Sequence, residues 1–157
     1  MKNINKYITE YIVKKKLDKP INSEHNYIPR TKDELIENIE ELLNEDIYNF
    51  NCIDTSKITD MSYLFTGELG KIDNINISNW DVSNVTNMKQ MFAGYKNFNC
   101  DLSNWDVSKV KNMDFMFNGC KEFEGKGLEN WNVSNVMDMV DMFNNCNNLK
   151  NKPRWYK

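Results

Sequence analysis

The sequence repeats a 13-residue motif, and this repetition limits the fold more than any other feature. WDVSNVTNMKQMF at 80–92 recurs as WDVSKVKNMDFMF at 105–117 and as WNVSNVMDMVDMF at 131–143. A divergent copy, IDTSKITDMSYLF, occupies 53–65 and begins with Ile53 instead of tryptophan. Copies spaced about 25 residues apart predict a repeat protein, because such a short unit buries its apolar edge only by stacking on its neighbours.

Each copy combines two apolar patterns. The first half suits an extended segment, and the second half places apolar residues at i, i+3 and i+4, the spacing of one face of a helical turn. In the copy at 80–92 we expect six side chains to point into the core: Trp80, Val82, Val85, Met88, Met91 and Phe92. The sequence therefore predicts an α/β fold, a short leucine-rich-repeat-like solenoid of about three to four coils, each a short strand plus a helical turn, with an N-terminal helical cap.

The residues before the repeats predict that cap. Apolar residues recur at helical spacing from Ile4 to Ile12, and a linker containing Pro20 and Pro29 follows. Thr31 then begins a second helix with a capping box closed by Glu34. The expected buried face of this second helix is Leu35, Ile39 and Leu42, with Ile36 and Leu43 at its margins. We predict an N-terminal helical cap at 1–49 and a repeat solenoid with a C-terminal lid at 50–157, forming one structural unit in which Trp155 covers the last coil.

The composition limits the classes of partner that the chain can bind. A net charge of −3 over 157 residues gives no electrostatic reason to expect nucleic acid. No apolar run approaches the roughly 18 residues of a membrane span, and the N-terminus lacks the apolar region of a signal peptide. We therefore expect no membrane insertion, and a cytoplasmic or virion-associated location unless a non-classical route exports the chain.

Two ladders of polar residues in the repeats could in principle bind a metal or act in catalysis. Stacked aspartates could hold calcium, but the Asx-turn interpretation is preferred, because a side-chain oxygen that accepts a nearby amide serves Asp and Asn equally well. The serine ladder lacks a base for nucleophilic catalysis, since the chain's one histidine, His25, lies in the linker. These ladders are Asp54, Asp81, Asp106 and Asn132, and Ser56, Ser83, Ser108 and Ser134. We expect no metal, no cofactor and no enzymatic activity.

The four cysteines form no CxxC pair, which counts against zinc. Cys120 and Cys146 follow Phe117 and Phe143 by three residues, so stacking could bring them within disulfide range. We predict reduced thiols and leave a Cys120–Cys146 disulfide open.

The motif W-D-V-S-N-V-T-N-M-x-x-M-F, with F-N-x-D-L-S-N-W at 98–105, resembles the repeats of the BspA-type leucine-rich-repeat surface proteins. The likeness covers about residues 47–157. It implies a leucine-rich-repeat-like solenoid used for binding, as in bacterial surface proteins that adhere to host or matrix proteins. The short array and the missing secretion signal make a phage-encoded virion or host-interaction component the alternative, and an enzyme of unknown type the remote one.

Positions that differ between copies indicate where the surface can be adapted to bind a partner, because the scaffold does not require one residue type there. Phe115, Met137 and Val140 are apolar where another copy is polar, so they predict an exposed patch. The alternative is that these three residues pack under the C-terminal lid. The candidate partner-binding surface comprises Lys89, Gln90, Lys109, Lys111, Phe115, Met137 and Val140. We expect its partner to be another protein, and the ends of the array to allow self-association.

Overall fold

The computed structural model describes residues 26–156 of the chain. Within this range the α-helix α1 spans Lys32–Asn44, and two short 3₁₀ turns span Leu69–Lys71 and Leu128–Asn130. No helix in the described range is long and apolar enough to cross a membrane. The predicted helical stripe from Ile4 to Ile12 and the linker histidine His25 lie outside the described residues.

Helix α1 begins where the capping pattern predicts. The Thr31 hydroxyl accepts the Glu34 amide at 3.2 Å, which satisfies one of the unpaired amides of the first turn. The Glu34 carboxylate reaches back to the amide of Arg30, at 2.6 Å, one residue before the position that a standard capping box uses. The predicted buried face of Leu35, Ile39 and Leu42 is confirmed, because all three are fully buried.

The α/β prediction is wrong. The described residues contain no β-strand and no sheet, and α1 is their one α-helix, so the predicted leucine-rich-repeat-like solenoid of strand-plus-helix coils does not describe them. Successive copies meet instead at isolated parallel bridges, each one residue pair long. In the repeats these bridges join Asp60 to Asn87, Asn87 to Asn112, and Asn112 to Asp138.

Consecutive turns replace the strand and the helical turn. In the copy at 80–92 the Val85 amide donates to the Val82 carbonyl at 2.9 Å, and the Met91 amide donates to the Met88 carbonyl at 3.2 Å. Between Met88 and Met91, Gln90 has a positive φ of 53°, a conformation that a right-handed helix excludes. The i, i+3, i+4 spacing cannot distinguish a helical turn from a series of such turns, because both bring these residues to one side.

Successive coils stack so that equivalent side chains touch. Phe65, Phe92, Phe117 and Phe143 form a continuous column with ring centroids 5.4, 5.5 and 5.7 Å apart and interplanar angles of 6°, 7° and 3°. All six predicted core residues of the copy at 80–92 are buried, which confirms the inward assignment. Their equivalents in the copy at 105–117 are buried too. At roughly 1.5–3 kcal/mol for each fully buried large side chain, these columns dominate the stability of the array.

Tryptophans link each coil to the one before it. The indole Nε1 of Trp80 donates to the Phe50 carbonyl at 2.9 Å, and Trp105 Nε1 donates to the Ile77 carbonyl at 3.2 Å. Trp131 and Trp155 continue the series, donating to the carbonyls of Leu102 and Leu128 at 3.4 and 2.8 Å. These bonds satisfy the one polar atom of each indole ring.

The two ends of the array are covered to different extents. At the N-terminal end Tyr27 forms a parallel bridge with Ile53, and α1 packs its buried face into the common core. At the C-terminal end the Trp155 ring stacks on Trp131 at 6.2 Å and Tyr156 contacts Phe143 edge-on at 5.0 Å. Trp155 therefore covers the last coil, as the sequence predicts.

Replacing Trp105 by alanine should lower the free energy of unfolding by about 3–5 kcal/mol, because the change removes a buried ring and leaves a cavity. Chemical denaturation of the wild type and the variant measures the difference. Lys121→Ala, at an exposed position, is the control and should change stability by less than about 0.5 kcal/mol. An unaltered denaturation midpoint in Trp105→Ala would contradict the stacked core.

Tyr95→Phe should stabilise the protein by about 1 kcal/mol. The Tyr95 ring is 1% exposed, and its hydroxyl oxygen is buried without a hydrogen-bond partner in the described range. Burial also raises the pKa of this phenol. Thermal unfolding of the variant checks the prediction, and a loss of stability would show that the hydroxyl has a favourable role.

Candidate partner-binding surface

Stacking places the variable positions of successive copies in columns along the array. One column consists of Thr86, Lys111 and Met137. The Lys111 amide donates to the Thr86 carbonyl and the Met137 amide donates to the Lys111 carbonyl, both at 2.8 Å. Met137 ends this column with a side chain that is 74% exposed. The polar residues of the earlier coils therefore lead to an apolar residue at the last coil.

A second column runs through Lys89, Asp114 and Val140. The Val140 amide donates to the Asp114 carboxylate at 2.9 Å, which fixes the backbone of the last coil against the coil before it. The Val140 side chain is 60% exposed. Met137 and Val140, three residues apart on the same coil, are the most exposed large hydrophobic residues of the described chain.

Gln90 and Phe115 occupy equivalent positions and share a positive φ, of 53° and 55°. The Gln90 amide donates to the backbone carbonyl of Asp114, and the Phe115 amide donates to the backbone carbonyl of Val140, each at 2.8 Å. The Phe115 side chain is only partly exposed, so it contributes less apolar surface than Met137 and Val140.

Lys109 is held apart from this apolar group. Its ammonium donates to the Asn84 amide oxygen at 2.7 Å, and the neighbouring Asn135 side chain donates to the Ser108 carbonyl, also at 2.7 Å. These bonds form a polar ladder over the earlier part of the motif. The structure thus places the seven candidate residues in four columns and concentrates their exposed apolar area at Met137 and Val140.

The C-terminal residues do not cover Met137 and Val140. Trp155 and Tyr156 pack on Trp131 and Phe143, which lie at the start and the end of the last motif. The alternative that the apolar positions pack under the lid is therefore wrong for Met137 and Val140.

Sequence reasoning missed three further residues of the last coil. Val133, Val136 and Met139 occupy positions whose equivalents in the two preceding copies are buried, yet they are only partly buried. The motif itself predicted them to be core. The signal that could have found them is their position in the last copy, because no other copy of the motif stacks on this one in the described range.

The aspartate ladder forms Asx turns. The Asp54, Asp81 and Asp106 carboxylates each accept the amide of the serine two residues on, at 3.0 Å, and Asn132 does the same at 3.2 Å. Hydrogen bonds from the following serine lower the pKa of Asp54 and of Asp106 below the usual range. No group of three or more potential metal ligands occurs among residues 26–156. The preferred Asx-turn interpretation is confirmed by these contacts.

Asp106→Asn should keep the stability of the protein, because the amide oxygen closes the same turn, whereas Asp106→Ala should lose about 1 kcal/mol. Denaturation midpoints at neutral pH test the pair. The folded-state pKa of Asp106 is lowered, so the stabilisation from its charged form is present above the unfolded pKa and is lost as the pH falls through the folded one. Equal stability of the Ala and Asn variants would show that this turn bond contributes nothing.

The cysteines are free thiols in the described residues. The Cys120 thiol donates to the Phe92 carbonyl at 3.1 Å, and the Cys146 thiol donates to the Phe117 carbonyl at 3.0 Å. Burial raises the pKa of Cys120, and it raises the pKa of Cys146 to about 11. Both sulfurs are therefore poor nucleophiles near neutral pH.

A cleft of about 420 Å³ lies between the segment that follows the divergent copy at 53–65 and the segment that follows the copy at 80–92. Its lining consists of Gly67, Gly70, Lys71, Ala93, Gly94, Lys96 and Asn97. Lys71 is paired with the Glu68 carboxylate at its rim. The lining contains no carboxylate, imidazole or thiol to act as an acid, base or nucleophile.

Comparison with known proteins gives one family. The model of a family described as "Mycoplasma protein of unknown function, DUF285" matches residues 33–155, which include all but the first residue of α1, every copy of the motif and Trp155. No curated protein and no solved structure gives a significant match to the chain.

Proposed function

This chain belongs to the DUF285 family, and we propose from this premise that it is a non-enzymatic repeat module that binds another protein. The family has no established function and is related to the BspA-like repeat proteins. The resemblance to those proteins supports binding rather than catalysis as the use of the array.

The observation that carries the proposal is the apolar group at the last coil. Met137 and Val140 are 74% and 60% exposed, and the partly exposed Val133, Val136 and Met139 belong to the same coil. Exposed apolar side chains grouped on one coil favour an interaction site, because burying them against a partner releases water.

The residues around this group suit a protein partner. Asp138 and Asp141 are exposed neighbours in the chain, and Lys111 precedes Met137 in its column. An apolar centre with a charged rim of both signs is the usual composition of a protein–protein interface. The mixed signs give no basis for attracting nucleic acid, which needs a basic patch.

The non-enzymatic part of the proposal is supported by the chemistry of the described residues. A cleft among them is lined by glycines, lysines, an alanine and an asparagine, with no carboxylate, imidazole or thiol to act as an acid, base or nucleophile. The repeated serines donate their amides to the Asx turns, and no imidazole is within the described range to activate their hydroxyls.

Site-specific photo-crosslinking tests the proposal. A photoreactive amino acid at Met137 should form a discrete adduct with one protein in an extract of the source cells. Val140→Glu in the same molecule should lower the adduct yield by at least about fivefold, because it places a charge within the apolar contact.

The matched control carries the photoreactive amino acid at Ile28, which is 52% exposed but lies at the opposite end of the array. This position should not give the same adduct. Equal labelling from Ile28 and Met137, or an adduct insensitive to Val140→Glu, would contradict a binding site at the last coil.

A further inference from the structure

Backbone hydrogen bonds join each coil to the next, and most of those within the motif run in the same direction. At each junction three amides on alternate residues of one coil donate to carbonyls of the next, at 2.7 to 3.0 Å. The donors are Met61, Tyr63 and Phe65 at the first junction, Met88, Gln90 and Phe92 at the second, and Met113, Phe115 and Phe117 at the third. In the opposite direction one amide of each later coil donates to a carbonyl of the coil before it, from Thr86 to Thr59, from Lys111 to Thr86 and from Met137 to Lys111. The face that a coil turns to the next one therefore carries one accepting carbonyl and then three donating amides.

The last coil presents the same three amides without acceptors. The equivalent donors are Met139, Asp141 and Phe143, and none of their amides has a hydrogen-bond partner in the part of the chain that the structure describes. Beside this row of donors, Val133, Val136 and Met139 are only partly covered. We call these backbone donors and side chains of residues 133–143 the terminal edge.

The terminal edge selects its partner by hydrogen-bond polarity. An ordinary parallel β-strand can accept from these donors with the carbonyls of alternate residues, but its own amides on that edge need acceptors in turn. The carbonyl of Asp141, at the centre of the terminal edge, already accepts the Asn144 amide, so such a strand fits the edge only in part. The required partner presents carbonyls from alternate residues on one side. In this protein that arrangement occurs in the coils themselves, whose central donor residue has a positive φ: 59° at Tyr63, 53° at Gln90, 55° at Phe115 and 50° at Asp141.

We propose that the terminal edge binds a coil of this same repeat type, supplied by a second polypeptide. The inference rests on the proposed function and names its partner. The incoming coil accepts the three free amides with its carbonyl row and covers Val133, Val136 and Met139 with the valine and methionine positions of its motif. The terminal edge is then buried as each earlier coil is.

Trp155 limits which part of the incoming motif docks. Its indole donates to Leu128 in register with Trp80, Trp105 and Trp131, so it already occupies the tryptophan position of the next coil. Tyr156 lies against Phe143. The partner therefore supplies the middle of the motif, equivalent to residues 107–116, rather than a complete copy.

A second copy of this chain fits less well. Its carbonyl row lies on the first coil, at the end that α1 covers, where the Lys32 ammonium donates to the Ser62 carbonyl at 3.1 Å. Two terminal edges placed face to face would set donors against donors. An inorganic anion is also disfavoured, because the exposed carboxylates of Asp138 and Asp141 adjoin the amides and the side chains beside them are apolar.

The test uses the full chain labelled with ¹⁵N and a synthetic peptide with the sequence of residues 106–119. At saturating peptide, amide hydrogen exchange at Met139 and Asp141 should slow by at least about tenfold, because both amides gain acceptors. A control peptide with serine at the positions of Val107, Val110 and Met113 should leave both rates unchanged.

Val136→Glu in the protein should abolish the peptide effect, and Ile28→Ser should preserve it. The wild-type exchange measurement stands even if Val136→Glu does not fold. Unchanged exchange with the wild-type peptide would overturn the proposal. So would slowing by sulfate alone, or a concentration-dependent dimer, seen by sedimentation, that protects the same amides without peptide.

The exchange test and the crosslinking experiment can refute the two proposals independently. If the peptide has no effect while Met137 still crosslinks in a Val140-dependent manner, the protein-binding function stands and the repeat-type partner is refuted. If the peptide protects Met139 and Asp141 while Met137 and Ile28 give equal labelling, the edge is chemically competent and the proposed function fails.

Discussion

The rest of the structure depends on backbone amides that donate from one coil to the next. Each coil is a series of turns with almost no hydrogen bonding of the kind that stabilises a helix or a sheet, so it cannot hold its shape alone. The bonds between coils fix the register, and this register aligns the phenylalanine column and brings each indole to the carbonyl of the preceding coil. Stability in this protein is therefore a property of neighbouring coils rather than of single elements.

The same constraint explains why the two ends differ. At the N-terminal end α1 and the segment around Tyr27 cover the carbonyl side of the first coil with a structure unlike the repeats. At the C-terminal end Trp155 and Tyr156 reproduce the start of a coil and cover its aromatic part. The amide side of the last coil is left with its valine and methionine positions partly exposed, and both proposals on binding arise from this difference.

Much of the core and little of the backbone was predictable from the sequence. The repeats identified Trp80, Met88 and Phe92 as buried because burial depends on which side chains recur, and the Asx turns followed from Asp and Asn exchanging freely. The strand and the helical turn were wrong because apolar spacing does not report the sign of φ, and Gln90 reverses it. The free amides of Met139 and Asp141 were not predictable, since side-chain patterns do not report where backbone donors point.

The left-handed residue at the centre of each donor row also restricts how the array can change over time. Tyr63, Gln90, Phe115 and Asp141 stand in one column that tolerates aromatic, amide and acidic side chains, although each has a backbone that disfavours any side chain. A valine, isoleucine or threonine there would add crowding at Cβ to a conformation that already costs about 1–2 kcal/mol. Residues in this column can therefore change in charge and polarity, but β-branched residues are disfavoured there. Substitutions in the column can alter the chemistry of the surface without altering the path of the chain.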